Sequence, residues 1–207
     1  MLTFDEPSHT YRHGGDLVPS VTQILGMMTD LSCIRESILE YAKTRGHGVH
    51  LGCELYDQDD LDWDSVGAEL RPYIDAWADF RAKTGFVPIQ IEQRVFHPHL
   101  RYAGTLDRSG IFQGELSIID IKAVASMYPT TGMQTAAYAE AIHAGDPKAP
   151  KHTGRYAVQL LRTGKWKLHT YRDRTDWPVF VSALTLMNWA HRNNHKVAYE
   201  PAVKERA

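Results

Sequence analysis

The chain has little cysteine: Cys33 and Cys53 are its two thiols. Two thiols cannot build a four-cysteine metal or iron–sulfur site or a disulfide framework, so the fold must rest on a hydrophobic core, and both are read as buried thiols. Long apolar runs are missing as well; none approaches the roughly 20 residues that a membrane-spanning helix needs. The opening MLTFDEPSHTY has no basic segment leading into an apolar one, so no secretory signal is read and a cytoplasmic location is expected. Excess charge is also absent. A formal net charge of -2 gives no global basic footprint, so any phosphate contact must be made by a local patch.

What is present describes an ordinary folded chain. At 207 residues the chain suits one domain, and its 43% hydrophobic and 23% charged residues argue against disorder and coiled coils. The region before about residue 85 reads as a small hairpin around Gly14-Gly15 followed by helices, packed on the rest. Ser20 is placed to cap a short helix. From Cys33 to about Tyr56 apolar residues recur at helical spacing, as one helix or as two broken near Gly46 and Gly48. Val66, Leu70, Tyr73, Ile74, Trp77 and Phe80 form the face of a clearer helix that stops at Gly85. Three strands follow, FVPIQIEQRVFHP, RYAGTLDRSGIF and ELSIIDIKA. A helix over about 129–143, two strands and a helix over about 177–193 complete the order, which predicts an α/β fold with a mixed β-sheet flanked by helices.

The middle strands carry the chemistry. If their turn is centred on Gln113-Gly114, residues whose numbers total 227 face each other, which sets Asp107 against Asp120; moving the turn by one residue would instead pair Asp107 with Lys122. Facing Cβ atoms lie about 4.5–5.5 Å apart, and two carboxylates that close repel unless a cation such as Mg²⁺ lies between them. Lys122, two residues past Asp120, projects from the same face, with Ile119 and Ile121 on the other. A D-x-K tripeptide is weak by itself, and Asp146-Pro147-Lys148 is a second one, which its proline and preceding glycine assign to a turn. Asp120-x-Lys122 differs in its setting: the strand LSIIDIK is apolar, and charges there must be paired or bound.

His50 in RGHGVH, Glu92 in IEQRV, Gly104-x-x-Asp107, Asp120-x-Lys122 and Gln134-x-x-x-Tyr138 occur in the order that resembles the PD-(D/E)XK nuclease superfamily, in its RecB-like and phage-exonuclease branch. The LVPSVTQIL segment also looks like the N-terminal region of phage and mitochondrial relatives. The resemblance implies a restriction-endonuclease-like core, with Asp107, Asp120 and the Ile121 carbonyl as metal ligands and Lys122 as the catalytic lysine. It implies His50 as a further ligand that admits Mn²⁺ beside Mg²⁺, Glu92 as a carboxylate beside the metals, and Gln134 and Tyr138 as residues that approach the site. Glu54, one turn after His50, could support it from the same helix face.

Further polar residues have two readings each. Ser20 and Thr22 either bind a phosphate or, for Ser20, cap a helix. Arg45, Arg94, His97, His99 and Arg101 either contact phosphates or form a solvated face, as do Arg155, Arg162, Lys165 and Lys167. The absence of a G-x-x-x-x-G-K-[S/T] motif excludes an ATP-driven helicase–nuclease in this chain. The expected function is a metal-dependent exonuclease acting on DNA ends in phage-type recombination or repair. By analogy its partners are DNA, a single-strand annealing protein and further copies of itself. A structure-specific endonuclease and an inactive nucleic-acid-binding protein of the same fold are the alternatives.

Overall fold

The computed structural model describes residues 1–6, 8–29 and 34–195. Among them lie two sheets. The N-terminal one has the order β1 (Leu2–Asp5), β2 (Thr10–His13), β3 (Asp16–Val18), so the expected hairpin is present and gains a third strand. Ser20 caps α1 (Val21–Gly26) through a full capping box with Gln23. The next segment forms one helix, α2 (Glu36–Asp57), that runs through Gly46 and Gly48 unbroken; Cys33 lies outside the described residues. The close approach of the start of α3 (Arg71–Thr84) gives Gly48 a use, since a Cβ there would come 2.9 Å from Leu70, while one on Gly46 would meet nothing within 4 Å. Helix α3 starts later than Val66, because Pro72 sits in its first turn and residues 63–65 form a 3₁₀ turn, and it ends on a left-handed Gly85 as expected.

The main sheet has the order β4 (Val87–His97), β5 (Tyr102–Phe112), β6 (Glu115–Lys122), β7 (Gly154–Leu160), β8 (Trp166–Thr170). Its first three strands are antiparallel, while β6 and β7 run parallel through the crossover helix α4 (Thr130–Gly145). The sheet is therefore mixed and flanked by helices, as expected. The β5–β6 turn is the one centred on Gln113-Gly114, both at positive φ, and pairs from Arg108↔Ile119 to Phe112↔Glu115 hold the register in which numbers total 227.

Alternation along β6 divides two cores. Ile119 and Ile121 pack with Val49 and Cys53 of α2 and Trp77 and Phe80 of α3. Ile118 faces the other way, into α1, α4 and α5 (Asp176–Arg192), among Ile24, Ala137 and Phe180. Burial pushes the Cys53 thiol well up, so it behaves as a small apolar group. Arg155 joins the N-termini of α4 and α5, donating to the Gly132 carbonyl and to Asp176, both at 2.9 Å.

His97 is buried within the second core, its ring 6.0 Å from Trp177 in a stacked arrangement, so it does not reach phosphates. Burial and neighbouring His99 hold its pKa below the usual 6.5. A depressed histidine pKa stabilises the fold above about pH 6.5, and that stability is lost as pH falls, because the unfolded chain then takes the proton more readily. The His97→Phe variant keeps the stack and removes the titration. Its urea midpoint relative to wild type should therefore rise between pH 7.5 and pH 5.5, roughly the range over which histidine titrates; a constant difference would contradict neutral burial of His97.

Candidate active site

The β4–β5–β6 ladder brings the acidic residues to one level. Pairs Ile91↔Arg108 and Gln93↔Leu106 flank Glu92 and set it level with Asp107, while the β5–β6 ladder ends at Arg108↔Ile119, with Asp107 and Asp120 the next residues beyond it. Glu92 itself is at φ 47°, outside regular strand geometry, which turns its carboxylate out of the ladder direction. From α2, His50 Nδ1 comes within 3.6 Å of Asp107 and 3.8 Å of Glu92. Ligand atoms of these three residues all lie within 4.8 Å of one another, the spacing of groups that could share one cation.

Asp120 lies beside them under a different constraint. It is 1% exposed, and neither carboxylate oxygen has a partner with hydrogen-bond geometry. Lys122 makes an ion pair with it at 2.6 Å without that geometry. Burial, opposed by Lys122 and reinforced by Asp107, pushes the Asp120 pKa up to about 6. Burial would lower Lys122, but the carboxylates of Asp120 and Asp107 outweigh it and hold the ammonium charged. The same competition keeps His50 above its usual value, with Asp107 and Glu92 prevailing over burial. Asp107 has one oxygen satisfied, accepting from the Ile121 N–H at 2.6 Å. The imidazole of His50 and the carboxylates of Glu92 and Asp107 form an oxygen-rich donor set with one nitrogen, which fits a hard divalent cation of the Mg²⁺ or Mn²⁺ kind, and Asp120 lies beside them.

His50, Glu92, Asp107 and Lys122 line a cleft of about 740 Å³ together with Ser20, Thr22, Lys43, Gln134 and Tyr138. On α4, Gln134 Nε2 donates to the Tyr138 hydroxyl at 3.2 Å, and burial keeps that phenol neutral. Gly104 makes room for it: a Cβ there would come 2.7 Å from the Tyr138 ring. Ser20 is occupied as the α1 cap, and Thr22 shares a hydrogen bond with it at 3.0 Å, so both line the cleft with their hydroxyls partly engaged. Glu54 lines an adjoining hollow with Arg94.

Other expected residues lie elsewhere. Arg45 does not line the cleft; its guanidinium donates to the Ala123 carbonyl at 3.1 Å and lies over the rings of Tyr41 and Tyr73. Arg101 pairs with Asp16 at 3.1 Å and lines neither space. Arg155 is engaged between α4 and α5, and Lys165 lines a separate hollow against α3 with Asp79 and Lys83.

Sequence reasoning missed the support behind the acids. Arg108 is fully buried and donates to Asp57, to Glu92 at 2.8 Å and to the Asp107 carbonyl at 2.6 Å. Burial alone would lower its pKa, but Asp57 and Glu92 raise it. Asp57, at the end of α2, also accepts from Trp77 Nε1 at 3.0 Å and from Arg81. The signal was available in GTLDRSGIF, where an arginine sits in a strand of mainly apolar and small residues and must find a carboxylate. Gln159 was missed as well: its amide donates to the carbonyls of Val124 and Ala125 at 2.9 and 3.0 Å, and with Arg45 on Ala123 it clamps the backbone that follows Lys122.

The sequence matches the PD-(D/E)XK nuclease superfamily over residues 37–203. None of the curated proteins matches it at a significant level. Among solved structures it is similar to the crystal structure of an alkaline exonuclease from Laribacter hongkongensis, at 17% identity and a TM-score of 0.33, over 84% of this chain and 92% of that one.

Removing Arg108 would take one of two guanidiniums from the buried Asp57 and, among the described residues, the only guanidinium from the half-buried Glu92. Arg108→Met should cost about 3–5 kcal/mol in urea unfolding, as breaking one side of a buried pair does. Lys43→Met, at an exposed position, should stay within about 0.5 kcal/mol. Equal effects of the two would contradict the bracing role of Arg108.

Proposed function

The chain belongs to the PD-(D/E)XK nuclease superfamily, and on that premise we propose that it is a metal-dependent DNA exonuclease that hydrolyses phosphodiester bonds from DNA ends. The observation that carries this reading is Asp120, almost wholly buried with both oxygens unsatisfied beside Asp107 and Lys122. Burying a carboxylate in that condition is unfavourable, and it makes sense when a cation completes the site. Asp107, Asp120, His50 and the Ile121 carbonyl would hold Mg²⁺ or Mn²⁺, with Glu92 beside them. When bound, such an ion lowers the pKa of water and polarises a phosphoryl oxygen.

The chain's own residues would do the rest. Lys122, held as an ammonium, stabilises negative charge developing on the phosphate and orients the attacking water. Gln134 and Tyr138 offer neutral donors to the substrate from the α4 side of the cleft. Because Gln134 donates to the Tyr138 oxygen, the phenolic hydrogen is left to point elsewhere, toward a phosphate oxygen in this reading. Arg108 keeps Glu92 facing the other acids without itself touching substrate. A role at DNA ends in recombination or repair, beside a single-strand annealing protein, follows from the same reading.

The deciding experiment is digestion of end-labelled linear DNA and of circular DNA, single- and double-stranded, with Mg²⁺, Mn²⁺ or EDTA. Linear DNA should be degraded from its ends with either metal and remain intact in EDTA, while circles survive. Cleavage of circles would favour an endonuclease acting on branched or flapped DNA. Asp120→Asn and Lys122→Met should each lower the rate at least about 10²-fold. Asp120→Asn should also lose the metal-induced rise in melting temperature expected of wild type, the rise that a ligand binding only the folded state produces. Wild-type turnover in either variant would contradict the assignment.

A further inference from the structure

Beyond His50 and Glu92 the cleft continues into an adjoining hollow of about 680 Å³, and His9, His47 and Thr105 line both parts. One wall of this hollow is the N-terminal sheet, tied to the main sheet where the Tyr11 hydroxyl meets Thr105 at 2.8 Å and the Ala103 N–H donates to the Pro19 carbonyl at 3.0 Å. The wall is aromatic. Phe4 packs against Tyr11 with ring centroids 4.6 Å apart, and the exposed His9 ring stands edge-on to Phe4 at 5.1 Å. Over Phe4, 5.1 Å from the ring centroid, lies the exposed guanidinium of Arg94 from β4. A ring braces this planar cation without neutralising it.

We propose that Phe4, His9 and Arg94 form a subsite for an unpaired base of a single-stranded DNA end, seating the strand as it passes the carboxylates. This rests on the nuclease reading above and names the form of substrate that the site takes. An arginine plane braced on an aromatic ring, beside an exposed imidazole, offers stacking faces that any base can use. Bases within a duplex have both faces covered by their neighbours, so the subsite selects an unpaired strand. Glu6 and Glu54 also line this hollow, and their charge disfavours a phosphate there, so the wall suits a base. The backbone is left to the deeper part, where Lys43 and Lys122 line the cleft.

The test is fluorescence anisotropy of the full chain in EDTA, where hydrolysis is off, with a labelled single strand of about 15 nucleotides, near the upper end of common single-strand site sizes, and its blunt duplex. Arg94→Ala and His9→Ala should each weaken single-strand binding at least about fivefold, the least that losing one stacked base implies. Arg94→Lys, which restores the charge but not the plane, should recover less than half of the Arg94→Ala loss. Full recovery by Arg94→Lys, equal losses for strand and duplex, unchanged binding in the alanine variants, or no single-strand binding by wild type would each overturn the subsite. Hydrolysis of bis(p-nitrophenyl) phosphate by wild type with Mn²⁺ reports separately on the nuclease reading, because that small diester has no base to stack. Its failure would remove the hydrolytic function while the binding comparison still judged the subsite.

Discussion

Repulsion among carboxylates at one level of a sheet is the constraint around which this molecule is arranged. Glu92, Asp107 and Asp120 come from three neighbouring strands, and the strand register leaves them little freedom to separate. Like charges a few ångströms apart in a medium less polar than water repel by several kcal/mol at an effective dielectric of about 20. The fold relieves part of this from one side only. Arg108 takes Glu92, and the Ile121 N–H takes one oxygen of Asp107. Lys122 lies against Asp120 but cannot satisfy its oxygens. His50 approaches the remaining space from α2, at a distance that suits a shared ligand better than a direct bond.

Holding such a cluster requires rigid supports, and these come from side chains that never enter the cleft. Asp57 gathers Trp77, Arg81 and Arg108, so the end of α2, the middle of α3 and strand β5 are fixed to one carboxylate. That junction sets the height of His50, which lies seven residues earlier on the same helix. On the far side, Arg45 and Gln159 capture three successive carbonyls after Lys122, so the chain leaves β6 along one path and Lys122 cannot swing out with a loose loop. Gly104 and Gly132 supply close approach: one lets the Tyr138 ring settle over β5, the other lets the Asp176 carboxylate reach the start of α4.

The acidic hairpin was legible because turn chemistry sets register. With Gln113-Gly114 at the turn, the opposition of Asp107 and Asp120 follows from counting, and alternation then puts Lys122 with Asp120 and the isoleucines behind. The element order was legible for the same reason, since hydrophobic period and glycine stops are local signals. Failures arose where the deciding partner is distant in sequence. Arg108 finds Asp57 across 51 positions, and Gln159 finds Val124 across 35, so neither pairing leaves a local trace. Arg45 and Arg101 were open to reading as phosphate contacts or as a solvated face because they are basic and near the motifs, and proximity along the chain did not place them in the cleft. The start of α3 moved for a local reason that apolar spacing alone conceals, the proline in its first turn.

A comparison of two aspartates separates scaffold from site on physical grounds. The side chains of Asp57 and Asp120 are 0% and 1% exposed, so both have lost nearly all contact with water. Asp57 is surrounded by donors from an indole and two guanidiniums, the condition under which a buried charge stabilises a structure. Asp120 has one ammonium beside it and no hydrogen bond, together with a second carboxylate close enough to raise its pKa. Burial alone therefore does not distinguish these two acids; hydrogen-bond satisfaction does. Asp57 is satisfied by donors from three side chains, whereas for Asp120 burial and the Asp107 carboxylate outweigh Lys122 and His50, so its proton is held more tightly than in water.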